Sequence, residues 1–323
     1  MEKKIETTDD ESEEITDDES EEITDGSIGP LPLPIKKIDI SCECKPAVEL
    51  NKYGTCIPEQ AIKKIAKKIG ISEKAPKKVF KEIKEKTGCD GESCVLTKPE
   101  ASHVISDSEI IHIKETHLKA YGPRDTRWFS NFDHHTKLLE LAEKYQSLAV
   151  FRFAMSNVLE WGPEDNHPIC KLDVRALRKS GKKYIAIPLN TDTYRVFRPD
   201  ERVGKHWVCI FCDMSKKHRW TVEYFNSSGK PISAETGIRN IAIYLKDKFD
   251  TYCKKHKPDT YCEFIELCST RQQYSKSECG GYILYILNAR VQKPEIKPEE
   301  YKNYRIPDDA ITIYRQVLFR EYE

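Results

Sequence analysis

The chain has 323 residues, 53 basic and 53 acidic side chains, and a mean hydropathy of −0.64, enough for one catalytic-sized core plus appendages. No apolar run approaches the length of a transmembrane helix. The zero net charge hides an asymmetry: residues 1–26 hold 13 acidic and 2 basic groups, a net of −11, so residues 27–323 net +11. A basic body behind an acidic tail points to an anionic partner, or to a solvated lysine-rich face.

Residues 8–23 are a doubling of TDDESEEI. Two isoleucines among so many carboxylates cannot make a core, so residues 1–28 are expected to be a disordered tail. Gly29-Pro-Leu-Pro-Leu-Pro34 reads as a stiff linker opening an arm region over 29–121. Ala61, Ile62, Ile65, Ala66 and Ile69 form an apolar stripe with Lys63, Lys64, Lys67 and Lys68 opposite. A second helix after Pro76 turns Val79, Phe80 and Ile83 inward. Such a basic arm can contact nucleic acid weakly through charge, but without interleaved aromatics or arginines it reads better as an arm packed on the body.

A catalytic core is expected over 122–323. Asp133 is positioned to cap a helix from His135 to Tyr145, with Leu138, Leu139, Leu141 and Ala142 inward. Residues 206–213 and 219–226 have strand composition and are joined by a short polar link, which predicts an antiparallel hairpin. Folded about Lys216, it sets Asn226 directly opposite His206, with Cβ atoms ~4.5–5.5 Å apart, where an amide oxygen can hold one imidazole tautomer. Residues 236–256 form an amphipathic helix on Ile238, Ile241, Leu245 and Phe249, Glu263 to Leu267 reads as a strand, and Asp308 or Asp309 caps the last helix. Helices around a mixed central sheet make the fold class α+β.

The loop from Gln273 to Gly281 carries Cys279 and runs into YILYILNA (282–289), apolar enough for a buried helix. Cys279 then sits at a helix N-terminus, where backbone N–H groups lower a thiol pKa. Gln273, six residues upstream, can aim an amide N–H at a developing oxyanion. Taken singly, these are a structural cysteine, a sheet-edge histidine and a turn asparagine. Together, His206, Asn226 and Cys279 match the base, orienter and nucleophile of a thiol acyl-transfer site, for which no cofactor and no metal are expected. Cys209-x-x-Cys212 and Cys253-x-x-His256 have ligand-like spacing. Residues three apart on a strand face opposite ways, however, and a helix-end His beside two lysines is ordinarily solvated. Cys42/Cys44 and Cys89/Cys94 stay open. The opening Met-Glu-Lys-Lys is the opposite of an apolar leader, so the twelve cysteines are expected as reduced, cytosolic thiols.

GKHWVCIFCDM (204–214), VEYFNSSGKP (222–231) and CGGY (279–282), in that order, resemble the adenain and Ulp/SENP class of cysteine proteases, closest to members that process polyproteins of large DNA viruses. GCDGESCVLTKPE (88–100), GPRDTRWFSNFD (122–133), PLNTD (188–192) and ITIYRQVLF (311–319) extend the likeness to the C-terminus. The resemblance implies His206 as general base, Asn226 as its orienter, Cys279 as nucleophile and Gln273 as oxyanion donor, with Asn190 a weaker candidate. Trp128 lines the substrate cleft, and Trp207 walls it so that only glycines pass. Gln272 beside Gln273 leaves the choice of amide open, Lys276 stands where a glutamine is expected, and ordinary SUMO proteases carry Asp at the position of Asn226. The implied activity is cleavage of structural polyprotein precursors after Gly-Gly during virion core maturation, in the host cytoplasm at assembly sites and in the virion core. Two alternatives stand beside it. One is a protease acting on host conjugates of a ubiquitin-like modifier. The other is a non-enzymatic scaffold binding DNA or capsid precursor through the basic arm, which the intact triad argues against.

Overall fold

The computed structural model describes residues 31–33, 43–45, 48–72, 74–123, 127–194 and 205–320. The expected disordered tail (1–28) and Cys42 lie outside the described residues.

In the N-terminal part, α1 (Glu59–Lys68) and α2 (Pro76–Thr87) form where the stripes predict them. Ala61, Ile62, Ile65 and Ala66 pack with Val79, Phe80 and Ile83, leaving Lys63, Lys64, Lys67 and Lys68 exposed. Shorter helices α3 (Glu92–Thr97), α4 (Pro99–Ser102) and α5 (Asp107–Thr116) add Val95, Leu96, Ala101, Ile110 and Ile113 to the same cluster. The arm is therefore a helical unit with its own core rather than two helices laid on the body. Two sequence expectations need correction here. Cys44 is bonded to Cys56 and Cys89 to Cys94, because the intervening turns bring each Cα pair within 5.7 and 5.5 Å; the other seven described cysteines are free. Within the proline-rich strip, residues 31–33 are docked rather than free: Leu31 and Leu33 pack on the catalytic core, and the Tyr285 hydroxyl donates to the Leu33 carbonyl at 2.6 Å. Arm and body meet where Lys119 Nζ donates to the Gln316 carbonyl at 3.1 Å and Lys45 pairs with Glu140 at 3.6 Å.

The body opens with α6 (Asn131–Lys144). Ser130, not Asp133, is its N-cap: Ser130 Oγ accepts from the Asp133 N–H, while the Asp133 carboxylate accepts from the Ser130 N–H at 2.7 Å. Leu138 is buried and Leu141 and Ala142 pack partly buried against the core, as expected, but Leu139 faces solvent, and His134 and Lys137 take inward positions. There follow β1 (Leu148–Val150), β2 (Ala154–Met155), α7 (Val158–Trp161), α8 (Val174–Lys179), β3 (Tyr184–Asn190), β4 (Trp207–Asp213), β5 (Arg219–Phe225), α9 (Thr236–His256), β6 (Tyr261–Glu266), α10 (Cys279–Gln292) and α11 (Asp308–Leu318). The six strands form one mixed sheet in the order β1-β3-β4-β5-β6, with β2 also on β3. β3, β4 and β5 run antiparallel, and β6 joins β5 in parallel through α9.

Both faces of the sheet are covered, so its central strands alternate between two cores rather than between core and water. On β4, Trp207, Cys209 and Phe211 join the cluster built on α10, whereas Val208, Ile210 and Cys212 join the one built on α9. Cys209 and Cys212 thus point to opposite faces, as strand periodicity requires. The YILYILNA run is uniformly apolar because α10 is covered nearly all round, from Tyr282 to Leu287. No helix among the described residues is long and apolar enough to cross a membrane.

Candidate active site

The predicted site residues converge at one end of β4 and β5 and the start of α10. The hairpin register differs from the sequence expectation by one step of the turn. Cys209 pairs with Phe225, which centres the hairpin on Lys217 rather than Lys216 and sets Asn226 beside Val208 instead of His206. The offset of two in paired numbers keeps every side chain on its face, and the contact survives on the diagonal: His206 Nε2 lies 2.8 Å from Asn226 Oδ1.

The orientation of that amide is dictated by its other partners. Asn226 Oδ1 also faces the Ser228 backbone N–H at 2.9 Å, a group that can only donate, and the Ser228 hydroxyl at 2.8 Å. Oδ1 must therefore be oxygen, and Asn226 Nδ2 donates to the Tyr224 hydroxyl at 3.0 Å. The imidazole consequently carries its proton on Nε2 and leaves Nδ1 as the basic lone pair. Burial holds the His206 pKa below its ordinary value, against a smaller opposite effect of the Asn226 hydrogen bond.

Cys279 is the first residue of α10 and is buried. Here too an expectation is corrected. Burial pushes the thiol pKa above its usual value and outweighs the backbone N–H groups of Trp207 and Gly280 and the positive charge of Arg315. Burial thus favours the neutral form of each group, the thiol and the imidazole. Gly280 is required by packing: a Cβ there would meet the Phe129 Cβ at 2.5 Å.

The two neighbouring glutamines separate cleanly. Gln272 is a brace: its Oε1 accepts from the Ile306 N–H at 2.9 Å and its Nε2 donates to the Tyr304 carbonyl at 3.2 Å and toward Cys268 Sγ at 3.6 Å. Gln273 Oε1 accepts from the Ser227 hydroxyl at 2.7 Å, and one Nε2 hydrogen goes to the Ser275 carbonyl at 2.8 Å. Its second N–H has no partner among the described residues and is available to an oxyanion.

Two holding elements were not singled out from the sequence. The turn Asn226-Ser227-Ser228 serves both halves of the site, because the Ser227 carbonyl also accepts the N–H groups of Gln272 and Gln273 at 2.8 and 2.9 Å. Gly229 makes this approach possible; its φ is +74°, and a Cβ would lie 2.4 Å from the Arg271 nitrogen. Asp308 is expected as a helix cap, yet Pro307 occupies that position. The Asp308 carboxylate instead accepts the N–H groups of Tyr274 and Ser275 at 2.9 and 2.7 Å and the Tyr282 hydroxyl at 3.1 Å, clamping the loop before Cys279. A Ser-Ser pair after the asparagine was the only hint of the first, and nothing local signals the second.

The remaining predicted residues lie around this centre in different roles. Trp207 is buried, its indole N–H bonded to the Phe129 carbonyl at 3.1 Å and its ring 4.3 Å from that of His134. Its side chain backs the cleft from inside rather than facing it. Trp128 is half exposed beside Phe129 and presents the free indole. Asn190 is buried at the end of β3, where its Oδ1 accepts the N–H groups of Asp192 and Lys205 at 2.9 and 3.2 Å. It ties off the loop leading into His206 and touches neither His206 nor Cys279 through a described hydrogen bond.

Residues 173–322 match the family model described as Ulp1 protease family, C-terminal catalytic domain. Two curated proteins of African swine fever virus are similar over most of their length. A protein named SUMO-1 cysteine protease, from a Kenyan pig isolate, is 28% identical over 77% of this chain and 90% of its own. One named cysteine protease, from the Badajoz strain, is 29% identical over the same shares. A crystal structure of the African swine fever virus protease superposes with a TM-score of 0.66 at 26% identity, covering 91% of this chain and 98% of that one. A buried cysteine opening α10, a histidine just before β4 and this likeness agree: residues 173–322 form a catalytic domain of the Ulp1 protease type, and the chain is a cysteine peptidase.

Proposed function

We propose that this peptidase is a viral endopeptidase that cleaves structural polyprotein precursors after Gly-Gly as the virion core matures, acting at assembly sites in the host cytoplasm and within the virion. The observation that carries the catalytic part is the 2.8 Å His206–Asn226 contact beside a thiol that opens a helix. His206 Nδ1 takes the Cys279 proton, the sulfur attacks the scissile carbonyl, and the oxyanion is met by the spare Gln273 N–H and the Cys279 backbone N–H. His206 returns the proton to the leaving amine, and water then resolves the thioester. Glycine specificity follows from the crowding at the nucleophile. Phe129 is packed against Gly280, Trp207 holds the Phe129 carbonyl through its indole N–H, and the adjoining Trp128 is exposed; a cleft narrowed by these rings would admit only glycines next to the scissile bond.

The name of the African swine fever virus relative supports a second reading, a protease acting on ubiquitin-like modifier conjugates. A fluorogenic Gly-Gly peptide tests the chemistry, and parallel digestion of a viral core precursor and a panel of modifier conjugates decides between the two. Faster cleavage of the modifier conjugates than of the precursor refutes the polyprotein assignment. The exposed lysines of α1 and α2 remain a candidate contact for a nucleic acid, tested by salt-dependent retention of the protein on DNA.

A further inference from the structure

Arg315 lies in the C-terminal segment ITIYRQVLF, which the chemistry above leaves without a role. It stands on α11, fully buried, and reaches toward the start of α10. Arg315 Nε is 3.0 Å from the Glu278 carboxylate. Arg315 Nη2 donates to the Arg127 carbonyl at 2.6 Å and to the Ser277 carbonyl at 3.4 Å. The guanidinium also stacks 4.4 Å from the centre of the Phe129 ring. These partners belong to two separate segments: 127–129, which carries Trp128, and 277–278, which leads directly into the nucleophile.

Burying two opposite charges stabilises little, because desolvation cancels much of their attraction and apolar residues of similar volume serve as well. Fixing register is the better-attested use of such a pair. We propose that Arg315 is a positioning residue of the peptidase site: its planar fork locks the segment that carries Trp128 to the loop that leads into Cys279, and its charge offsets that of Glu278 beside the thiol. The inference rests on Cys279 as the nucleophile. The charged and titratable groups around the thiol are His206 before β4, His134 on α6, Glu278 beside it, and Asp308 and Arg315 on α11; Arg315 is the permanent cation among them. Lysine cannot reproduce the fork, since one ammonium has no fixed directions with which to reach a carboxylate and two carbonyls together.

The test uses the full chain with Arg315→Lys, Arg315→Met and the charge-free double variant Glu278→Gln/Arg315→Met. Cys279 alkylation by iodoacetamide is followed across pH by mass spectrometry, with Cys279→Ser as the blank for other thiols, and kcat and KM are measured separately on a Gly-Gly peptide. Arg315→Lys keeps the charge opposite Glu278; it should fold, keep the wild-type alkylation midpoint and lose about tenfold or more in kcat, as small misplacements of reacting groups do. Arg315→Met leaves Glu278 unbalanced beside the thiol and should shift the alkylation midpoint to higher pH, whereas the double variant, which removes both charges, should keep the wild-type midpoint and lose kcat as Arg315→Lys does. Where Arg315→Met fails to fold, the double variant, which leaves no orphaned carboxylate, decides. Wild-type kcat in Arg315→Lys overturns the role of the fork, and a folded double variant with wild-type kcat overturns the proposal altogether. Alkylation needs no substrate, so a wild-type protein that ignores Gly-Gly peptides refutes only the specificity and leaves this test standing.

Discussion

Replacing either of two adjacent glutamines by alanine should produce opposite defects. Gln273→Ala removes the spare N–H available to an oxyanion. Loss of one such donor costs about 10²–10³ in kcat, or ~2.7–4 kcal/mol of transition-state stabilisation, with KM little changed. It also has a structural cost, since the fully buried Ser227 hydroxyl loses its acceptor and the Ser275 carbonyl its donor. Gln272→Ala removes nothing from the cleft but strips the buried Ile306 N–H and the Tyr304 carbonyl of their partners. Leaving such groups unsatisfied costs about 1–3 kcal/mol each, which lowers the melting temperature by several degrees for a body of this size. The assay pairs thermal melts with kcat and KM on a Gly-Gly peptide, at a temperature where both variants are folded. A larger kcat loss in Gln272→Ala than in Gln273→Ala would exchange the two roles and refute the hydrogen-bond accounting.

Cys279→Ser should lose nearly all turnover, because the alcohol is far less acidic than a thiol already held high by burial; more than about a tenth of wild-type activity would remove Cys279 as nucleophile. Burial lowers the His206 pKa from 6.5, so the neutral base persists, and the acid limb of kcat/KM should fall, below that value. Asn226→Asp adds a negative charge beside the ring and should move the limb to higher pH while retaining activity, and an unmoved limb would dissociate Asn226 from the base. His134, fully buried, is held down to about 4 from 6.5, so the unfolded chain takes up its proton first. Stability should therefore drop as pH falls from 6.5 towards 4, by about 3 kcal/mol in all. His134→Gln should flatten the pH dependence of the melting temperature over that window; an equal slope in both proteins would contradict the assignment. Removing residues 1–28 should leave peptide cleavage unchanged but strengthen retention on heparin at low salt, because about eleven negative charges are lost. Lost cleavage would make the tail part of the folded enzyme.

Much of the site could be read from the chain because its chemistry is local. A cysteine, two glycines and an apolar run announce a helix opening on a thiol, and a β-rich pair around a polar link announces the hairpin that brings His206 to Asn226. The stripes of α1 and α2 were equally plain, since a 3.6-residue period needs no partner to be seen. What the tertiary structure alone decided were quantities that depend on neighbours distant in sequence. The thiol pKa rises rather than falls because burial outweighs the backbone N–H groups at the helix end and the charge of Arg315. The hairpin shifted by a period that preserves faces, which composition cannot distinguish. Asp308, the first residue of α11, turns its carboxylate away from its own helix end to clamp residues 274 and 275, a contact more than thirty residues away in sequence. Gln272 and Gln273, identical in sequence, differ only in which carbonyls and N–H groups the fold brings to them. Side-chain type and spacing set which chemistry was available at this end of the sheet, and burial and hydrogen-bond partners, set by packing across α6, α10 and α11, assigned it.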